Sequence, residues 1–427
     1  MTEESPRGGT LALIALGIIG TLNFVDRQIL SVLIEPIRAE MAFSDFEFGL
    51  LTGLAFSLFY ALVGLPAAHI ADRWNRVRLV ALACFTWSFF TAATGLVRSF
   101  AGMALVRFGV GVGEAGGTAP SLSILADYFP REKRPLVIGA FTLNGPVGVF
   151  VGAAFGGWAA ANLGWRGAFI ALGVIGMVAA PLLLFLVREP PRGRFEAAPS
   201  EVPSVPIRQV LLLFWRNPKL RLLSAAAGLS SFLSYGMLNW IPAYLMRVQD
   251  MPLSAISSWF APAAGITMGI GMVGGGALVT RWVRRSPAGY AAVPGIATAI
   301  LIPLFGLSLW VDGWQASLLL MLIPMTCCTI FTPASLALAQ ELGPVSARAT
   351  VTATLLLMFN IVGLGLGPLF VGVLSDLGRP SLGDESLRVA LTVLLVPAAL
   401  AILAQWRLAR ALGGPSDAPV VGRAEPA

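Results

Sequence analysis

The sequence is short of charge. Of its 427 residues only 12% are Asp, Glu, Lys or Arg, against about 25% in a usual soluble domain. With 56% apolar residues and a mean hydropathy of +0.80, this scarcity points to a membrane protein. There is one histidine, His69, so a multi-histidine metal site is excluded. The three cysteines, Cys84, Cys327 and Cys328, all lie inside apolar runs. They form neither a disulfide framework nor a zinc spacing. No Gly-x-x-x-x-Gly-Lys loop occurs, so ATP does not power the protein directly. No nucleophile–base pair or metal set is visible, and neither an enzyme nor a bound cofactor is expected. The longest soluble stretch, Arg188 to Leu220, is too short for an appended sensor domain. The net charge of +7 comes almost wholly from arginine, with only two lysines. These cations recur in small clusters between apolar runs and do not form one patch, which argues against nucleic acid.

What fills the chain instead is long apolar runs. A helix crossing a bilayer needs about 20 mostly apolar residues, because lipid offers its backbone no hydrogen bonds. Twelve such runs are read, roughly at 11–36, 46–70, 79–97, 101–126, 136–160, 167–187, 221–247, 254–280, 289–310, 315–340, 349–375 and 389–408. Residues 1–10 lack a basic segment followed by a cleavage site, so Leu11 onward is expected to be a retained first helix. With the N-terminus placed in the cytoplasm, the cytoplasmic segments hold 21 Arg and Lys and the outer loops 6. That bias predicts cytoplasmic termini at both ends, in a multi-pass protein of the cytoplasmic (inner) membrane.

Residues 188–220 form the longest internal connection. It opens with Pro, Gly and charge and ends in an amphipathic stretch, Ile207 to Trp215, suited to the membrane surface. It separates residues 1–187 from residues 221–410, two halves of six spans each, and residues 411–427 read as a disordered cytoplasmic tail. The halves repeat one another. Arg73, Trp74 and Arg76 after the second run match Arg281, Trp282 and Arg284 after the eighth at a constant offset. The same spacing at the same place in each half argues for duplication.

Ionisable residues within a span are costly and usually face a cavity or a partner. The first run holds Asn23, Asp26 and Arg27 at i, i+3 and i+4, on one face. The fourth holds Arg107 and Glu114, seven residues and about 10.5 Å apart along the axis. Asp26, Arg107 and Glu114 are expected to exchange partners, with Arg27 neutralising its neighbour Asp26. Asp26 and Glu114 are candidate proton carriers, since a desolvated carboxylate holds its proton and an adjacent arginine releases it. Arg107 and Arg27 are candidate holders of an anionic substrate group, with Asn23 beside them. A static ion network that only fixes helix packing is the competing reading. The second half carries no deep charge; Tyr235 and Asn239 in its first span and Asn360 in its fifth are candidate wall residues. The expected cavity is therefore charged on one wall and aromatic on the other. Asp72, Arg73 and Arg76 are read as a latch, with Asp72 closing on the N-terminus of the eleventh run near Ala349. His69, at a helix end, is read as an interfacial residue.

These motifs resemble the major facilitator superfamily over nearly the whole length. Asp72, Arg73 and Arg76 are similar to its signature between helices two and three, with Ala68 and Asn75 replacing two glycines. Arg107-Phe-Gly-Val-Gly-Val-Gly-Glu114 resembles its fourth-helix motif. Asn144-Gly-Pro146 with Gly148, Gly152 and Gly156 resembles its fifth-helix motif, and Gly164-Trp-Arg-x-Ala-Phe169 its following loop. Asn23-Phe-Val-Asp-Arg27, Gly113-Glu-Ala115, Asp127-Tyr-Phe-Pro130 and Gly383-Asp-Glu-Ser-Leu-Arg388 are most similar to the spinster-like branch. The organic anion:cation symporter branch shares parts of the pattern.

The resemblance implies an all-α membrane protein of twelve transmembrane helices in two pseudo-symmetric six-helix bundles, with its site at the midplane between them. It implies alternating-access transport of an amphipathic or anionic organic solute, lysolipid-like or sphingoid-like, coupled to protons. A small-carboxylate symporter is the alternative. The expected partners are a small organic or lipid-like substrate, protons and membrane lipids, for a monomeric carrier.

Overall fold

The computed structural model describes residues 6–130, 133–195, 207–344 and 347–413, and these are helical with no strand among them. Seven stretches are long and apolar enough to cross a membrane as they stand. Two of them are too long for one crossing. Leu136–Leu186 has 51 residues, about 76 Å of helix against roughly 30 Å of hydrocarbon. The chain folds back at Gly164, whose φ of 69° and ψ of 166° leave the helical region. Glycine carries that positive φ without a Cβ penalty. Thr350–Leu412 likewise holds two passes, divided near Gly383. The seven stretches thus supply nine passes. The remaining three are those whose interior is interrupted or polar, which include the passes bearing Glu114 and Tyr235.

In chain order, span one is Pro6–Val32, prolonged by Ile34–Met41. Span two is Asp45–Gly49, Leu50–Leu54 and Ala55–Arg73; span three is Arg76–Thr94; span four is Phe100–Glu114 and Thr118–Tyr128. Spans five and six are Arg134–Thr142 and Asn144–Leu186, parted at Gly164. Span seven is Pro218–Arg247, and span eight is Leu253–Ala255, Ile256–Phe260 and Ala261–Val283. Span nine is Gly289–Trp310, and span ten is Trp314–Cys327 with Phe331–Leu342. Span eleven is Arg348–Met358, Phe359–Leu366 and Gly367–Leu382; span twelve is Ser386–Val393 with Leu395–Leu412. A short helix, Ile207–Arg216, precedes span seven. It buries Val210 and Phe214 against spans seven, eleven and twelve and leaves Leu211 and Trp215 exposed. Residues 196–206, the middle of the linker, and 414–427, most of the expected tail, lie outside the described residues.

Spans two and eight each open on a π-helical turn, Leu50–Leu54 and Ile256–Phe260. Equivalent irregularities at equivalent places add a structural sign of duplication to the repeated loop motif. Span five packs on span one through small residues: a Cβ on Gly152 would lie 2.8 Å from the Cβ of Gln28, so only glycine allows that approach.

The core is not evenly shared. At the end away from the termini, one continuous cluster joins both halves, from Ile29, Leu33 and Phe48 to Trp240, Tyr244 and Leu391. At the end carrying the termini it splits into separate clusters. One is centred on Trp87, Ile124 and Phe141 of the first half, and another on Leu223, Leu355 and Leu408 of the second. The halves are therefore fused at the distal end and parted at the terminal end.

Candidate functional site

Spans one and four bring four charges together in the first half. Arg107 donates from Nη1 to Asp26 Oδ2 at 3.0 Å, and the Thr91 hydroxyl of span three donates to Asp26 Oδ1 at 2.5 Å. Arg27 donates from Nε and Nη2 to one oxygen of Glu114, Oε2, at 2.7 and 2.6 Å. Asp26, Arg107 and Glu114 are buried, whereas the Arg27 side chain keeps 21% of its surface exposed. Each pair has an atom to spare: Arg107 Nε and Glu114 Oε1 are buried without a hydrogen-bond partner.

This pairing corrects the expected one. Arg27 does not neutralise Asp26; it holds Glu114, while Asp26 holds Arg107. Sequence neighbours on a helix point about 100° apart and do not face each other. Asp26 and Arg27 thus reach different partners two turns apart on span four. In this conformation Arg107 and Glu114 share no partner and stand in two separate pairs.

Arg27 lies among aromatic rings. Its guanidinium carbon is 4.7 Å from the Phe56 ring centre, 5.2 Å from Tyr60 and 5.7 Å from Phe24. Such contacts hold a cation by about 0.5–2 kcal/mol each without consuming its hydrogen-bond donors. All three rings belong to the first half, so the aromatic wall is not confined to the second, as the sequence suggested. Tyr235 of span seven packs from across the interface against the same first-half cluster.

The other expected residues fall in several places. Asn23 lines a narrow cleft of about 10 Å³ with Gly20, Trp87, Thr118 and Ser121, room for roughly one water. Asn239 accepts from the Ser31 hydroxyl at 2.7 Å and so ties span seven to span one. Asn360 donates its amide to Leu356 O of its own helix at 2.9 Å. Arg76 is buried beneath the first half, donating to Asp127 Oδ2 at 2.5 Å and Glu189 Oε1 at 2.7 Å. It is a tie within that half in this conformation, and Arg73 is exposed. The side chains of Asp72, His69 and Ala349 lie outside the described residues. Thr91, Phe24, Phe56 and Tyr60 escaped the sequence reading. Their only signal is spacing that places polar or aromatic residues on the face of a charged span, which ordinary packing also produces.

A twelve-pass, two-bundle helical fold with buried charge pairs inside one bundle defines a membrane transporter and not an enzyme. Residues 16–368 match the Major Facilitator Superfamily, and the chain belongs to it. It is similar to an MFS-type efflux pump of Mycolicibacterium smegmatis, 32% identical over 92% of this chain and 90% of that one. It is also similar to the hexuronate transporter of Bacillus subtilis, 25% identical over 60% of this chain and 62% of that one. A solved structure of a bacterial homolog to the human lysosomal transporter spinster, in an inward-facing and unoccupied conformation, superposes with a TM-score of 0.88. It is 28% identical and covers 96% of this chain and 98% of that one.

Proposed function

We propose that this transporter carries an organic anion with an apolar body together with a proton, using Arg27 and Glu114 as the coupling pair. The observation that carries the reading is the shared hold on Arg27. Its side chain is partly exposed, and its guanidinium is surrounded by rings and bound to one oxygen of a fully buried carboxylate. A substrate carboxylate or phosphate binding Arg27 competes with Glu114. An ionised Glu114 that has lost its cation is a lone buried charge, which is too costly to keep. Glu114 then takes a proton on its spare oxygen, and anion and proton travel together. Asp26 and Arg107 keep the neighbouring pair as a second proton store. The rings beside Arg27, with Tyr235 opposite, suit the apolar body. The motifs that resemble the spinster-like branch favour a lysolipid or sphingoid phosphate, and the similarity to a hexuronate transporter favours a small carboxylate. The arginine bias supports cytoplasmic termini in an inner-membrane protein, and we take the carrier to work as a monomer.

Export is a second reading, favoured by the efflux pump that matches along nearly the whole chain. It requires proton and substrate to exclude each other. The test is a thermal-shift screen of purified protein against lysophosphatidylglycerol, sphingosine phosphate and galacturonate at acidic and neutral pH. Coupled binding predicts that the effective anion stabilises more at acidic pH. Stabilisation that grows towards neutral pH, or that neutral amphipaths alone produce, would overturn the symport reading.

A further inference from the structure

At the distal end, span two begins against the other half of the molecule. Arg247, at the end of span seven, donates to Asp45 Oδ2 at 2.6 Å and Oδ1 at 2.9 Å, and to Glu35 Oε1 at 2.6 Å. Ser375 of span eleven donates to Asp45 Oδ2 at 2.6 Å. Asp376 accepts from the backbone N–H of Asp45 at 3.0 Å and of Phe46 at 2.7 Å. Asp45 is fully buried. Among the described residues, every ion pair that joins the two halves is made by Arg247 here.

The cap of span two is thus shared. Ser44 and Glu47 form a local capping box that stays with the helix wherever it moves. Asp376 satisfies two further N–H groups, but from span eleven, so those bonds exist only while the distal end is shut. The backbones cross closely as well: a Cβ on Gly53 would lie 2.6 Å from Gly365 O. Spans two and eleven run antiparallel. Asp376 stands near the C-terminal end of span eleven, facing the start of span two. Asp72 stands near the C-terminal end of span two, with the start of span eleven at the same terminal end.

We infer that Asp376 and Arg247 form the distal latch of the transport cycle, and that Asp45 is the group both must release before the distal end opens. The helix pair then carries one acid cap for each end. Asp376 is engaged in the state seen here, and Asp72 is the counterpart we assign to the opposite state. The latch depends on neither the substrate nor the coupling proton, so its test needs neither.

The experiment is double electron–electron resonance on full-length protein in nanodiscs, with the native cysteines replaced by serine. Spin labels are placed at exposed distal positions (Ala101→Cys with Ser381→Cys) and, separately, at exposed terminal ones (Arg78→Cys with Arg285→Cys). Asp376→Ala and Arg247→Ala are expected to raise the ratio of long to short distal distances at least tenfold. The terminal pair should shorten in step. Asp376→Asn, which keeps one acceptor oxygen, guards against misfolding and should give about a threefold rise. Unchanged distal distances in Asp376→Asn and Arg247→Ala would overturn the latch. A distal rise without terminal shortening would also overturn it, since that is local fraying and not the transport movement.

Discussion

The two halves descend from one repeat, yet their interiors differ. Among the described residues six charged ones are buried outright, and all belong to the first half: Asp26, Asp45, Arg76, Arg107, Glu114 and Asp127. Among the described ion pairs the second half buries one charged side chain, that of Arg247, at the distal interface and not in its own interior. The second half buries neutral groups and satisfies them locally. Ser231 donates to Phe359 O, Trp240 to Pro368 O and Tyr244 to Leu309 O. Burying an ion pair is at best neutral for stability. Charge pairs kept in the interior of only one of two duplicated bundles are therefore better explained by work than by packing. In the proposed cycle the first half would handle protons and substrate charge, and the second would supply a neutral wall that moves against it.

The largest effect should come from breaking a buried pair. Arg107→Leu leaves Asp26 alone in a dry interior and should cost about 3–5 kcal/mol. Asp26→Asn combined with Arg107→Leu should recover most of that. Melting temperatures of the two single variants and the double one close the cycle; a double variant no better than Arg107→Leu alone would mean the pair is not a unit. In the second half the stakes are smaller. Asn239→Ala removes the acceptor of Ser31 and should cost about 1 kcal/mol, read by the same melts. A loss as large as that of Arg107 would erase the contrast between the halves.

The smallest effect lies at the surface. Hydrogen bonds from Arg166 and Trp165 hold the Glu40 carboxyl below the usual carboxylate range. Its folded value is depressed, so its contribution is present above the unfolded value and is lost as pH falls through the folded one. Both side chains of the Arg166 pair are well exposed, so solvent screens it. Glu40→Gln should leave melting at neutral pH nearly unchanged and flatten only the acid end of the stability curve, as a pH series of melts would show.

Much of this was legible in the sequence. Apolar run length gave the passes, because lipid leaves a backbone no other partner. The cost of intramembrane charge singled out Asp26, Arg107 and Glu114 before any coordinates. What could not be read was who pairs with whom. Arg27 reads as the neutraliser of Asp26 because its neighbour in sequence is an acid, but helix geometry sends the two side chains apart. The distal latch was hidden for a different reason. Glu35, Asp45, Arg247 and Asp376 sit near span ends, where charge is ordinary, and only the tertiary crossing of spans one, two, seven and eleven joins them. Arg76 adds a third case: read as part of a latch, it bonds in this conformation to Asp127 and Glu189 of its own half, a pairing across 51 and 113 residues that no local spacing reveals.

The central claim is that Glu114 couples substrate to protons through its hold on Arg27. It is tested most directly by Glu114→Gln in proteoliposomes, with whichever anion stabilises the wild type. Uptake driven by an imposed pH gradient should vanish, while exchange of labelled for unlabelled anion at equal pH continues, because Gln keeps an acceptor for Arg27 but cannot carry a proton. Gradient-driven uptake at the wild-type rate would contradict the account.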